Sequence, residues 1–241
     1  MKAKTFMVSD TETTGLGSRA IVFDFAYVIA TRKRIIIERQ FLVREILTNA
    51  RLMLGALFSS EWRAMFGGKI FELYIPNIAD HTFRIFSWRD IIQQMREDIL
   101  TYGVDVFCAY NIEFDLGALN KTHRLITEKN INLSRLDLLD LYLFSTSTLL
   151  NSQLYHDFAW KHGIEKGFIT KANNVRTTAQ ATYAFLTGNP DFIEAHTALA
   201  DAQIETEILW RLLARKKTIP YNDVQYMPWR HAQKIRGTLL D

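Results

Sequence analysis

Cysteine is nearly absent from this chain: Cys108 is the only one among 241 residues. No internal disulfide can form, and no cluster of thiolates can hold a structural zinc ion. Long apolar runs are missing too. The opening stretch Met1-Lys2-Ala3-Lys4-Thr5 soon reaches a charge at Asp10, and no run suits a signal peptide or a membrane span. A reducing, cytoplasmic setting is expected, with no membrane partner. Low-complexity tracts and internal repeats are also absent. Charge of one sign is not in large excess, since the net charge is +3 and the pI about 8.9. That balance suits a nucleic-acid partner, and equally any mildly basic cytosolic protein.

What is present suffices for a core. Hydrophobic residues make up 48% and charged residues 23%, which excludes wholesale disorder and fits one domain with an appended element. Residues 4–9 are a short apolar run ending at Asp10, and residues 11–15 read as a turn. Residues 21–31 and 35–43 are two more extended runs, joined by Arg32-Lys33-Arg34 as a hairpin turn. Three antiparallel strands are expected there. Residues 45–88 are rich in aromatics; residues 47–65 have helical character, and residues 70–75 look extended before Pro76. Ser87 resembles a helix cap for residues 89–102, and residues 104–109 a buried strand. Residues 137–150, 153–161, 177–186 and 195–217 read as helices. Strands followed by alternating helix and strand, then helices, predict an α/β or α+β domain with a mixed sheet.

Four segments carry candidate chemistry. In Asp10-Thr11-Glu12, residues i and i+2 of a strand share a face, so two carboxylates point the same way and repel. A hard divalent cation such as Mg²⁺ or Mn²⁺ would relieve them, because it prefers oxygen ligands. Alone, a solvated strand end explains the pair as well. In Asn111-Ile112-Glu113-Phe114-Asp115, the helix dipole would favour Asp115 in a first turn, or Asn111 would simply cap the helix. His196 and Asp201 are five apart on a helix, roughly 140° around it, so they meet only if His196 sits at the helix start. Finally, Thr13, Thr14 and Gly15 offer hydroxyl and N–H groups beside the acids, for a sugar or phosphate or for local bonds.

Taken together and in this order, the segments resemble the three motifs of the DEDDh-type, DnaQ-like 3′–5′ exonucleases of the RNase H-like superfamily. The first motif stands as Asp10-Thr11-Glu12-Thr13-Thr14-Gly15, the second as Asn111-Ile112-Glu113-Phe114-Asp115, and the third as His196 to Asp201. The resemblance spans about residues 4–215 and implies an α/β fold, an RNase H-like mixed sheet with three antiparallel strands plus parallel strands, flanked by helices. It places the exonuclease domain at 1–217, with an atypical insertion at 45–88 and a tail at 218–241 that packs on the domain. It further implies two divalent cations, Mg²⁺ or Mn²⁺. Asp10 would bridge them, Glu12 and Asp201 would help hold the one serving the nucleophilic water, and Asp115 would serve the other. His196 would be the general base. Thr13, Thr14 and Leu16 would lie near the terminal nucleotide, with Asn111 and Phe114 also on the substrate side.

The expected substrate is therefore the 3′ end of single-stranded DNA, cut to nucleoside 5′-monophosphates. Trimming of RNA ends or short oligoribonucleotides uses the same acids. A proofreading or non-catalytic subunit of a polymerase complex, or a homodimer, is a further possibility. The aromatic insertion would be extra core, a lid that stacks on bases, or a partner surface. His156 and His162 read as structural, and Asp137 or Asp140 as a capping or pairing residue.

Overall fold

A computed structural model describes residues 4–53, 70–216 and 218–228. Its centre is a mixed sheet in the order β4-β3-β2-β1-β5-β6. Strands β1 (Phe6–Thr13), β2 (Val22–Ala30) and β3 (Ile35–Val43) form the antiparallel meander. Strands β5 (Val106–Ala109) and β6 (Asp137–Asp140) extend it in parallel from β1. The two-residue β4 (Ile85–Phe86) adds a parallel edge beside Leu42 and Val43. The α/β class and the mixed sheet expected from the sequence are thus what the chain forms.

Alternation along β1 assigns its two faces. Met7 joins a core with Trp88, Ile91 and Met95 of α3 (Trp88–Thr101) and Leu119 of α4 (Ile112–Thr127). Phe6 and Val8 face the other way, onto Leu141 and Phe144 of α5 (Leu141–Ser145) and Ile208, Leu209 and Leu212 of α8 (Ala198–Arg215). Fully burying each such aliphatic side chain contributes roughly 1.5–3 kcal/mol. The C-terminal half of α8 packs there, while Leu199 and Ala202 of its N-terminal half pack on Val28 and Ala30 of β2. Two further helices, α6 (Gln153–His162) and α7 (Ala179–Thr187), share a separate cluster built on Tyr155, Phe168 and Ala184. His162 lies against Phe158 with ring centroids 4.7 Å apart, a packing role. From the tail, Tyr221 and Val224 pack on the two main clusters.

Several elements differ from their sequence expectation. Strand β1 does not end at Asp10; it runs on to Thr13, pairing Asp10 with Ala26 and Glu12 with Asp24. Residues 137–150 are not one helix. Leu138 and Leu139 lie on a partly buried parallel edge strand, and short apolar strands and helices cannot be told apart by periodicity. The Asp140 side chain then accepts the N–H groups of Tyr142 and Leu143 and starts α5, while Asp137 pairs with Lys4 at 2.5 Å. Residues 70–75 are not extended. Ile70–Tyr74 is a π-helical turn leading into α2 (Ile75–Ala79), because Pro76 in a first turn forfeits no hydrogen bond. Before that segment, Arg44–Leu47 forms the short helix α1, and residues 50–53 are helical. The remainder of the expected 47–65 helix, together with Phe58, Trp62 and Phe66, lies outside the described residues.

Candidate metal centre

The sheet brings β1 and the start of α8 face to face. Carboxylate oxygens of Asp10, Glu12 and Asp201 lie within 4.8 Å of one another. Asp10 and Glu12 share the β1 face that Phe6 and Val8 use, so the apolar contacts that seat α8 also seat Asp201, in its first turn, opposite the strand acids. Glu12 and Asp201 are buried, and Asp10 is half-buried.

Asp115 lies next to this trio without joining it. It occupies the first turn of α4, and Thr11 Oγ1 donates to its Oδ1 at 2.7 Å. Burial pushes the Asp115 carboxyl up to about 7, with the Asp140 charge adding to the effect and the Thr11 bond opposing it. A helix N-terminus favours a carboxylate by only about 0.3–1 kcal/mol, and here desolvation wins. Burial likewise pushes Asp10 well above the usual carboxylate range, followed by the charges of Asp115, Glu205, Asp201 and Glu12.

Glu205 was not singled out from the sequence. It lies one turn beyond Asp201 on α8, is 3% exposed, and its Oε2 accepts the Tyr110 N–H at 3.1 Å. Burial holds it well above its ordinary range, with Asp115 and Asp201 adding to the effect. The available signal was an acid four residues after Asp201, on the helix stripe that continues into Leu209 and Leu212. Glu205→Gln keeps a carbonyl acceptor for Tyr110 and removes one buried charge. Because the folded-state value is raised, ionising Glu205 costs stability as pH rises. The variant should match the wild type in urea unfolding at pH 4 and exceed it at pH 8 without metal. An equal or lower unfolding midpoint at pH 8 contradicts this.

His196 does not lie within α8, which begins three residues later than the sequence pattern suggests. Its φ is +53°, left-handed, which breaks the helix before the cap Thr197, whose Oγ1 accepts the Ala200 N–H. Such a conformation costs an L residue roughly 1–2 kcal/mol and persists only where its surroundings impose it. Its Nδ1 is 3.7 Å from Glu194 Oε2, and about a third of its side chain is exposed.

The remaining expected residues are spread around the site. Thr13 donates to the Gly15 carbonyl and Thr14 to the Arg19 carbonyl, each at 2.8 Å, so both hydroxyls serve the local turn. At Gly15 a Cβ would come within 3.2 Å of Arg19 Cβ, which is why a residue without one suits this close turn. Leu16 is exposed just beyond. Asn111 has φ +72° and no side-chain capping bond; its N–H donates to Asp140 Oδ1 at 3.3 Å instead. Phe114 is partly buried against the core shared by α3 and α4.

No family model and no curated protein matches this chain. Among solved structures it is similar to cell-death related nuclease 4 (CRN-4), at 14% identity and a TM-score of 0.51. The match covers 88% of this chain and 64% of that one, so the chain spans less than two thirds of that neighbour's length. Exonuclease X, solved in complex with 5′ overhanging duplex DNA, aligns at 16% identity and a TM-score of 0.43 over 87% of this chain and 91% of that one. The fold is of the RNase H-like type.

The donor set decides which ions fit. All three clustered ligand atoms are carboxylate oxygens, with no thiolate or imidazole among them, which suits hard cations such as Mg²⁺ and Mn²⁺. The charges that press most on Asp10 are all carboxylates. A divalent cation would relieve them.

Proposed function

We propose that this chain is a divalent-cation-dependent 3′–5′ exonuclease of the DEDDh type, acting on single-stranded DNA. One observation carries the reading: Asp10, Glu12 and Asp201, from two distant motifs, converge with oxygens within 4.8 Å. The motif order and a fold like that of a named nuclease support it. With its one cysteine buried and free, the chain suits a reducing compartment, and the cytoplasm is the proposed setting.

The chain's own residues would act as follows. Asp10, Glu12 and Asp201 would hold one or two divalent ions, with Asp115 beside them. When bound, those ions would supply Lewis-acid stabilisation of the charge that develops on the phosphate. The imidazole of His196 would take the proton of the attacking water, and the backbone of the 13–16 turn and Leu16 would border the terminal nucleotide. His196→Ala should then lower kcat about 10²–10⁴-fold, the span of a general base, while Mn²⁺ affinity stays within about twofold. A rate equal to wild type removes His196 from the role.

A non-catalytic subunit is the weaker reading, because a binding module has no need of carboxylates that repel one another unless a cation is held. RNA as substrate uses the same acids and differs only in contacts to the 2′-hydroxyl. End-labelled DNA and RNA strands, single and double, incubated with Mg²⁺, Mn²⁺ or EDTA, test all of this. Laddering from the 3′ end of single-stranded DNA that EDTA stops is the expected result. Preference for RNA replaces the substrate, and activity indifferent to EDTA overturns the mechanism.

A further inference from the structure

Asp24 is a carboxylate with no exposed surface, directly across the β1–β2 pairing from Glu12. Its Oδ2 accepts three hydrogen bonds from three different parts of the chain. They come from Tyr74 Oη at 2.8 Å, from Gln40 Nε2 at 3.0 Å, and from the backbone N–H of Ala198 at 3.2 Å. Ala198 is the first residue of α8, and its N–H is one of the donors that a helix start leaves without an internal partner. Thr197 satisfies another of these through Ala200. The first turn of α8 is thus fixed to β2 by a side chain that itself sits opposite a site acid. His196, in its left-handed conformation, is the hinge between that fixed turn and the preceding loop.

We infer that Asp24 is a positioning residue for the His196 turn, and that Tyr74, from the Ile70–Tyr74 turn, is a working part of the site. This rests on the nuclease reading for its catalytic consequence, but not for its geometry. The Tyr74 ring is held independently of its hydroxyl, since Phe23 and Phe83 each pack on it with centroids 5.4 Å away. Tyr74→Phe therefore removes the hydroxyl's bond and keeps the packing. Asp24→Asn is the stronger change, keeping one acceptor oxygen for three donors.

The test has two arms on the full chain. In the metal-free protein, NMR follows the Ala198 amide and the ring nitrogens of His196. Both variants should move both sets of resonances, and Tyr74→Phe should leave the melting temperature close to wild type. In the second arm, kcat and KM on a single-stranded oligodeoxynucleotide are measured in wild-type and His196→Ala backgrounds. A small misplacement of a catalytic group costs up to about a hundredfold, so kcat should fall about tenfold for Tyr74→Phe and about a hundredfold for Asp24→Asn. KM and Mn²⁺ affinity should stay within about twofold. In the His196→Ala background neither variant should cost more, because residues acting through one group are not additive. Unchanged Ala198 and His196 resonances in Tyr74→Phe overturn the inference, as do losses that multiply with that of His196→Ala. If the wild type hydrolyses nothing, the nuclease reading falls, and the NMR arm still decides whether Asp24 and Tyr74 position His196.

Discussion

Asp10→Asn is expected to abolish hydrolysis and, in the same protein without metal, to raise the melting temperature. The two effects share one cause. Asp10 sits on the central strand, pressed by burial and by Asp115, Glu205, Asp201 and Glu12. Four acids around a fifth is an arrangement that folding alone would disfavour, and removing the central charge relieves it. On the proposed reading, the same removal would take from a bound cation one of its three clustered carboxylates. Lewis-acid stabilisation is worth several kcal/mol, and about 1.4 kcal/mol is a factor of ten, so a loss of about 10³-fold or more is expected. Asp201→Asn should match it in activity. Hydrolysis by either variant within tenfold of wild type would sink the metal-centre assignment. A lower melting temperature for Asp10→Asn would show that the carboxylates are not in mutual repulsion.

Mg²⁺ or Mn²⁺ should stabilise the protein strongly at pH 8 and weakly at pH 5. The sign follows from raised carboxyls at the site: Asp10 is pushed well above its usual range and Asp115 up to about 7, in each case chiefly by burial. A group whose folded value lies above its unfolded one contributes fully below about pH 4 and loses that contribution as pH rises through the folded value. For these groups, the metal-free protein is therefore worse off between about pH 4 and 7. Cation binding requires ionised ligands and competes with protons, so its benefit appears over the same window. At a hundredfold excess over Kd, binding adds about 2.7 kcal/mol, or roughly 5–10 °C for a chain of this size. Calorimetry with Mn²⁺ and with EDTA at both pH values measures this. Equal melting temperatures with and without Mn²⁺ at pH 8 would mean that no cation is held.

The motif acids were legible because each sits in a short segment whose residue types are unusual for their surroundings. Asp10 and Glu12 interrupt an apolar strand, and Asp201 opens an apolar helix beside small residues. Helix caps at Ser87 and the hairpin at residues 32–34 were legible for a similar reason, since their chemistry is local. Strand β6 was not, because four residues, two acids around two leucines, are too few to show a period. The stretch before Pro76 reads as extended, whereas it turns and leads Pro76 into the first turn of a helix.

By itself the sequence determined the residue types, their order, and the strand and helix that carry them, because propensity and periodicity act over a few neighbours. Only the tertiary structure decided which groups meet. It brought Asp201 to Asp10 and Glu12 while leaving Asp115 bonded to Thr11. It turned the Thr13 and Thr14 hydroxyls onto their own turn. It also recruited Glu205, Asp24 and Tyr74, which no motif marks. The physical reason is that burial and charge are set by what packs around a group. Asp24 is an ordinary strand acid until Gln40, Tyr74 and the start of α8 close over it.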